Sequence, residues 1–262
     1  MGTIDKPVST SIYGPVSSWR LGRSLGIDLL STEGSTCSFD CIYCQLGPTS
    51  HHQTERREFV SLGQLSRELN GLGSVEADYA TFSGVGEPTL AGNLGEAIPL
   101  VRSTLGLPIA VLTNSLLITR EDVQEELSLA DFVIAKVDAP NEDLFLRINR
   151  SYGQTPFEKI VEGLKVFRKS YHKILAIQMM FVEANRDWAR EMAQIAEGIG
   201  PDEIQVNTPL RPSAVKPLSR NELDSVKQAF SHLRGVITVY DSERLDVSPL
   251  NMEETLRRRK RL

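Results

Sequence analysis

The sequence is poor in the features that mark a special environment. Its 262 residues include only three cysteines and four histidines, and aromatic residues make up 6%. No apolar run approaches the roughly 18 residues needed to cross a bilayer, so no membrane span is expected. The opening Met-Gly-Thr-Ile-Asp-Lys-Pro lacks the apolar core of a secretory signal. Gly2 follows Met1, but Lys6 stands where the myristoylation pattern needs Ser or Thr, which argues against lipidation. An excess of positive charge is missing too: 29 Lys and Arg face 34 Asp and Glu, a net charge of −5. With 40% hydrophobic residues, this balance excludes disordered, fibrous and strongly basic classes. A cytoplasmic globular chain remains, long enough for one large domain or two small ones.

Three cysteines cannot all pair, and Cys37, Cys41 and Cys44 lie within eight residues. The cluster points to a metal centre and not to disulfides. Charge is uneven along the chain. Residues 1–140 carry 9 basic and 17 acidic groups, residues 141–262 carry 20 and 17, and Arg257 to Arg261 supply five of those positive charges.

Strand-like and helix-like runs alternate. Strands are expected at Leu25–Leu30, Asp78–Ser83, Ile109–Thr113, Asp131–Asp138, Lys173–Val182 and Glu203–Asn207, with a last one at Gly235–Tyr240. Ser61-Leu62-Gly63-Gln64 reads as a capping box opening a helix to about Asn70. Further helices are expected from about Asn93 to Leu105, from Thr119, over Trp188–Glu197 and over Ser219–His232. Thr155-Pro156-Phe157-Glu158 starts another, with Thr155 as its cap. It puts Phe157, Ile160, Val161, Leu164 and Phe167 on one core-facing stripe. Thr208 to Leu218, with three prolines, reads as a loop. Six to seven strands separated by helices predict a parallel α/β array in one domain. Its core spans about 20–240, with a helix and basic tail over 241–262. Ser83, Thr113, Lys136, Asp138, Gln178, Gln205 and Asn207 fall late in their strands. In parallel barrels that end carries the site, so these residues either line a cavity or cap the next helix.

Three thiolates on one loop can hold three corners of a cubane iron–sulfur cluster, leaving one iron open. The alternative is a non-catalytic zinc module in which His51 or His52 is the fourth ligand; otherwise both histidines are exposed loop residues. Gly84-x-Gly86 follows a strand, but Pro88 and a missing third glycine exclude a dinucleotide fingerprint.

The C-x3-C-x2-C pattern, with Phe39 and with Tyr43 before the last cysteine, resembles the radical S-adenosylmethionine (SAM) superfamily. Phe82-Ser83-Gly84-Val85-Gly86-Glu87-Pro88-Thr89-Leu90 resembles that superfamily's Gly-Glu-Pro element and follows in the right order. The resemblance implies a partial (βα)6 TIM-like barrel with outer helices. It also implies a 4Fe–4S cluster on Cys37, Cys41 and Cys44, SAM chelated at the open iron, and reductive cleavage to a 5′-deoxyadenosyl radical that takes a substrate hydrogen. By the same resemblance the Gly86-Glu87 backbone, with Ser83 and Pro88 beside it, holds the SAM amino group, and main chain around Tyr43 sits near adenine. Asn114, Asp138, Gln178 and Asn207 are candidates for ribose, carboxylate or substrate contacts.

A narrower resemblance rests on Tyr13–Val16, Arg20–Asp28, Cys44–Gly47, Leu112–Leu117, Lys136–Asp138, Ile148–Arg150 and Asn207–Pro212. These segments look like a group of iron–sulfur oxidoreductases related to tRNA wyosine-synthesising enzymes. That kinship, with the terminal arginine run, suggests an RNA nucleoside as substrate. The chain lacks the second cluster's cysteines that wyosine synthases carry, which weighs against that synthesis. The alternatives are an activase or modifier of a protein, and an enzyme acting on a small metabolite. With no flavin or ferredoxin module in the sequence, an external low-potential donor of flavodoxin or ferredoxin type is implied. Arg20, Arg23, Arg150 and Arg211 read as anion clamps or as surface salt bridges. Lys136 and Asp138, on one strand face, read as a buried ion pair or a substrate contact.

Overall fold

The computed structural model describes residues 10–242 and 245–259. The N-terminal Met1–Pro7 segment and Lys260 and Arg261 of the basic run lie outside them. In chain order the elements are β1 (Ile12–Ser18), β2 (Gly22–Ile27), β3 (Thr36–Cys37), β4 (His51–His52), α1 (Leu62–Asn70), β5 (Tyr79–Phe82), α2 (Leu94–Leu105) and β6 (Ile109–Thr113). Then follow α3 (Glu121–Ser128), β7 (Phe132–Lys136), α4 (Glu142–Ile148), α5 (Phe157–Ser170), β8 (Ile174–Met180), α6 (Ala189–Ile199), β9 (Glu203–Asn207), α7 (Arg220–Gln228), β10 (Val236–Thr238) and α8 (Met252–Arg258).

Eight strands form one sheet in the order β1-β2-β5-β6-β7-β8-β9-β10. From β2 onward every neighbouring pair is parallel. Parallel strands need crossovers, and each helix-bearing connection supplies one. The sheet curls into a partial barrel with helices outside, and a buried apolar core fills the space between strands and helices. The α5 stripe belongs to it: Phe157, Ile160, Val161, Leu164 and Phe167 are all buried, each contributing about 1.5–3 kcal/mol.

Four differences from the sequence expectations have local causes. The first strand is β1, ahead of residue 20, where no strand was expected; its Pro15 sits in an edge strand, where proline is tolerated, and β1 pairs antiparallel with β2 across an irregular register. Strand β2 stops at Ile27 instead of Leu30, because Asp28 accepts the amides of Leu30 (3.2 Å) and Ser31 (3.1 Å) and turns the chain. Thr155 does not cap α5. The Phe157 amide donates instead to the Glu142 carboxylate at 2.6 Å, at the start of the unexpected helix α4. The Ser61 cap is present, but the Gln64 side chain donates to Glu68 (2.9 Å) and does not close the box.

The C-terminal segment is structural. Leu250 donates its amide to the Gly14 carbonyl (2.6 Å), and Leu245 donates to the Ser17 hydroxyl (2.9 Å). Helix α8 follows, and its Arg258 side chain is fully buried against Asp28 at 2.7 Å.

Candidate active site around the cysteine loop

Cys37 ends β3, which pairs parallel with β4 in a small ladder, and the loop between the two strands holds Cys41 and Cys44. Its backbone is fastened from two sides. Ile148 and Asn149, at the end of α4, accept the amides of Ile42 (2.9 Å) and Asp40 (3.0 Å). The Tyr152 amide donates to the Ser38 carbonyl and the Gln53 amide to the Cys37 carbonyl, both at 3.0 Å. Phe39 is buried edge-on against Phe145 of α4, 5.3 Å between ring centres. The cysteines therefore sit on a fixed frame.

The Gly84–Pro88 segment leaves the end of β5 and locks onto the other side of that frame. Thr36 donates its amide to the Val85 carbonyl (2.8 Å), and the Glu87 amide donates to the Thr36 carbonyl (3.2 Å). A Cβ on Gly86 would lie 1.6 Å from the Thr36 carbonyl oxygen, and one on Gly84 would lie 2.2 Å from the Asp28 carboxyl carbon. Both positions require glycine because other groups occupy the space.

The carboxylate of Glu87 is spent on the protein. It accepts the Thr89 amide (3.0 Å) and hydroxyl (2.7 Å), the Thr113 hydroxyl (2.7 Å) and the Asn114 amide (2.6 Å). Burial still pushes it above the ordinary carboxyl range. Its bonds tie the ends of β5 and β6 together, and Asn114 continues the chain of contacts to the loop. The Asn114 amide group donates to Ser38 Oγ (2.8 Å) and lies 3.6 Å from Cys37 Sγ.

A second polar network lies under Cys41. Asp138 accepts from the Tyr43 hydroxyl, from Asn149 Nδ2 (2.9 Å) and from the Met180 amide (2.8 Å), and pairs with Lys136 at 3.4 Å. Asn149 Nδ2 also lies 3.5 Å from Cys41 Sγ. Burial and the Asp138 charge raise the Tyr43 phenol well above its usual value. Burial works against the charge of Lys136, but Asp138 and the cysteines more than offset it and the ammonium is favoured. Lys136 and Asp138 are thus the buried ion pair, with Tyr43 between them.

All three cysteines are unpaired. Burial pushes the Cys41 thiol up to about 11 and Cys37 higher, and Cys37 is raised further by Glu87 and by the other two cysteines. Burial therefore favours the neutral thiols, and a positive partner is needed to hold them as thiolates. Among the described residues no three His, Cys, Asp or Glu side chains converge on one ion position. His51 points its Nε2 at the Glu33 carbonyl (2.9 Å) and His52 stacks on Tyr152, both exposed in β4 and not in an unstructured loop.

A cavity of about 650 Å³ opens beside Cys44 at the C-terminal ends of the strands. Of the expected cofactor residues, Tyr43, Gln178 and Asn207 line it, together with Lys136, Arg20 and Arg211. Ser83, Gly86, Glu87, Pro88, Asn114 and Asp138 are not in its wall; Ser83 bonds Tyr13 (2.8 Å), and Glu87, Asn114 and Asp138 hold the loop as described. Arg23 is a surface partner of Asp78 (2.9 Å) and Glu76, and Arg150 an exposed partner of Asp40 (3.5 Å). Sequence reasoning assigned no role to Ser38 or Asn149. Asn149 was visible only as part of the Ile148–Arg150 segment, whose helix α4 is too short to announce itself.

Residues 34–196, more than half of the chain and including all three cysteines, match the radical SAM superfamily. The chain belongs to the radical SAM superfamily. Members of the superfamily use a 4Fe–4S cluster and SAM, and this chain is an enzyme of that class. It is also 41% identical over 211 residues to a UPF0026 protein of Synechocystis, covering 80% of this chain and 78% of that one, which places it in the UPF0026 family as well. The fold matches SuiB of Streptococcus suis bound to S-adenosylmethionine, with a TM-score of 0.60 at 15% identity over 78% of this chain; the chain spans about half the length of SuiB. It matches an archaeal TYW1 with a TM-score of 0.53 at 18% identity, covering 80% of this chain and 72% of that one. No described helix is long and apolar enough to cross a membrane.

The radical SAM loop fits a cubane better than a single ion. A cubane spaces its three thiolates around separate irons, so convergence on one point is not required, and Asn114 and Asn149 offer N–H groups to the sulfurs. Gly86→Ala tests the frame: its Cβ has no room beside Thr36, so the segment must move away from β3. Loss of about 1–3 kcal/mol in urea unfolding is expected, with iron incorporation reduced in step. Unchanged stability and iron content would refute the packing.

Proposed function

We propose that Cys37, Cys41 and Cys44 hold the 4Fe–4S cluster and that the cavity beside Cys44 receives SAM and the reacting part of a substrate. When bound, the cluster supplies the electron that splits SAM into methionine and a 5′-deoxyadenosyl radical, which takes a substrate hydrogen. The observation that carries the reading is the doubly fastened loop of three unpaired cysteines at the mouth of the strand ends. The protein's own part is positioning and shielding. Glu87 and Asn114 fix the loop from β5 and β6, Asp138 and Asn149 fix it from β7 and α4, and Tyr43, Gln178 and Asn207 face the ligand. Apolar side chains of the wall, Leu46, Met180 and Leu210 among them, limit water around a reactive radical. An external low-potential donor of flavodoxin or ferredoxin type supplies the electron. The whole arrangement is read as one radical SAM domain with α8 as part of it.

The substrate class is a separate matter. The resemblance to the wyosine-related group favours an RNA nucleoside, but the arginine run supports it less than the sequence suggested. Arg257 donates to the Thr32 carbonyl, Arg258 is buried on Asp28, and Arg259 donates to the Ser17 carbonyl (2.8 Å). Anaerobic turnover with deuterated substrate pools tests this by following deuterium into 5′-deoxyadenosine. Label from an RNA pool and none from small metabolites or peptides is the result expected for a nucleoside substrate. Label only from metabolites or peptides would overturn it.

A further inference from the structure

The cavity wall is one-sided in charge. Among the described residues that line it, five are basic (Arg20, Lys136, Arg211, Arg258 and Arg259) and none is acidic. Lys136 pairs with Asp138, and Arg258 with Asp28 and Glu254. Arg20 and Arg211 form no ion pair among the described residues, and Arg20 Nε is buried without a hydrogen-bond partner. Arg259, anchored on the Ser17 carbonyl, brings a third guanidinium to the same wall. The three act on one another. Burial, then the charges of Arg259 and Arg211, pull Arg20 down to about 9; burial and Arg259 pull Arg211 down to about 10. Glu203, the carboxylate that acts on Arg20, already accepts from Gln205 at 2.6 Å and does not line the cavity.

SAM does not explain this concentration. With a sulfonium, an ammonium and one carboxylate, it is a net cation at neutral pH, and three arginines repel it. The cysteine loop accounts for little of it: no cysteine is among the charges acting on Arg20, and Cys44 acts on Arg211 less than Arg259 and Tyr13 do. Arg20 and Arg211, two guanidinium groups on one wall with no carboxylate partner among the described residues, suit a dianion with several acceptor oxygens.

We propose that Arg20 and Arg211 form an anion site that seats a phosphate group of the substrate. The proposal rests on the reading of the cavity as the substrate chamber and narrows the substrate to a phosphate ester. The phosphate of a sugar or nucleotide metabolite and that of an RNA backbone share this chemistry.

The test is binding, which needs no turnover. The reconstituted full-length chain is titrated with inorganic phosphate, then with ribose 5-phosphate and a short RNA, by calorimetry and thermal shift. Saturable binding of phosphate is expected, and Arg20→Met with Arg211→Met should raise its Kd at least tenfold. Removing the mutual repulsion should leave the melting temperature without phosphate unchanged or higher. Should the methionine variant fail to fold, Arg20→Lys and Arg211→Lys keep the charge and lose the planar fork, and a weaker Kd is expected for each. Tighter binding of ribose 5-phosphate than of RNA assigns the site to a small metabolite, and the reverse to RNA. Absence of saturable phosphate binding, or equal affinity in wild type and variants, would overturn the anion site. Substrate-free SAM cleavage by the wild-type chain, measured in parallel, reports separately on the function proposed above.

Discussion

Arg258→Ala should be among the most damaging single changes outside the cysteine loop, lowering unfolding stability by about 3–5 kcal/mol, the cost of stranding a buried charge. The guanidinium is fully buried; it bonds Asp28 (2.7 Å), Glu254, the Thr10 carbonyl (2.6 Å), the Ser31 hydroxyl (3.0 Å) and the Glu254 carbonyl (3.2 Å), and lies over the Tyr13 ring. Asp28 in turn holds the turn after β2 and the Val85 amide (3.3 Å) in the Gly-Glu-Pro segment. Removing Arg258 leaves Asp28 buried and unpaired between the two pieces of chain that frame the cysteines. Ending the chain after Leu256 should do the same, with iron incorporation falling alongside. Urea denaturation of the reconstituted protein checks both. A truncated chain as stable as wild type would show that the C-terminal segment is a detachable tail, as its five consecutive basic residues alone suggest.

Replacement of Cys37, Cys41 or Cys44 by Ala has the second large effect, on the metal centre. Three thiolates provide the minimum protein ligation for a cubane with one open iron, and a methyl group ligates nothing. Wild-type protein reconstituted anaerobically should hold about four irons and four sulfides per chain, as that stoichiometry requires. Each single variant should lose most of both, with the brown absorbance. One zinc in colourless wild-type protein, unchanged after reconstitution, would contradict the cluster assignment and return the loop to a structural metal site.

Much of this was legible in the residues because it depends on periodicity and spacing. The parallel strands from Asp78 to Asn207 are short apolar runs between helices, and their polar last residues mark the cavity end, where Lys136, Gln178 and Asn207 line the wall. The cysteine spacing and the Gly-Glu-Pro segment carry the superfamily resemblance in the residues alone. What was hidden depends on partners distant in sequence. Glu87 looks like a ligand contact in a motif, yet its carboxylate is consumed by Thr89, Thr113 and Asn114. Asp138 looks like a ribose contact, yet it organises Tyr43 and Asn149. The arginine run reads as a basic tail because its local partner is Glu254, while Asp28, which buries Arg258, lies 230 residues away. Edge strand β1 was masked by Gly14 and Pro15, and α4 by its seven-residue length.

The most direct test of the central claim is release of 5′-deoxyadenosine and methionine from SAM. The reconstituted chain, reduced by dithionite under strict anaerobiosis, should form the two in equal amounts, slowly without substrate. The Cys41→Ala chain should form neither above background. Wild-type protein that carries four irons, binds SAM and yet releases no 5′-deoxyadenosine under reduction would contradict the account.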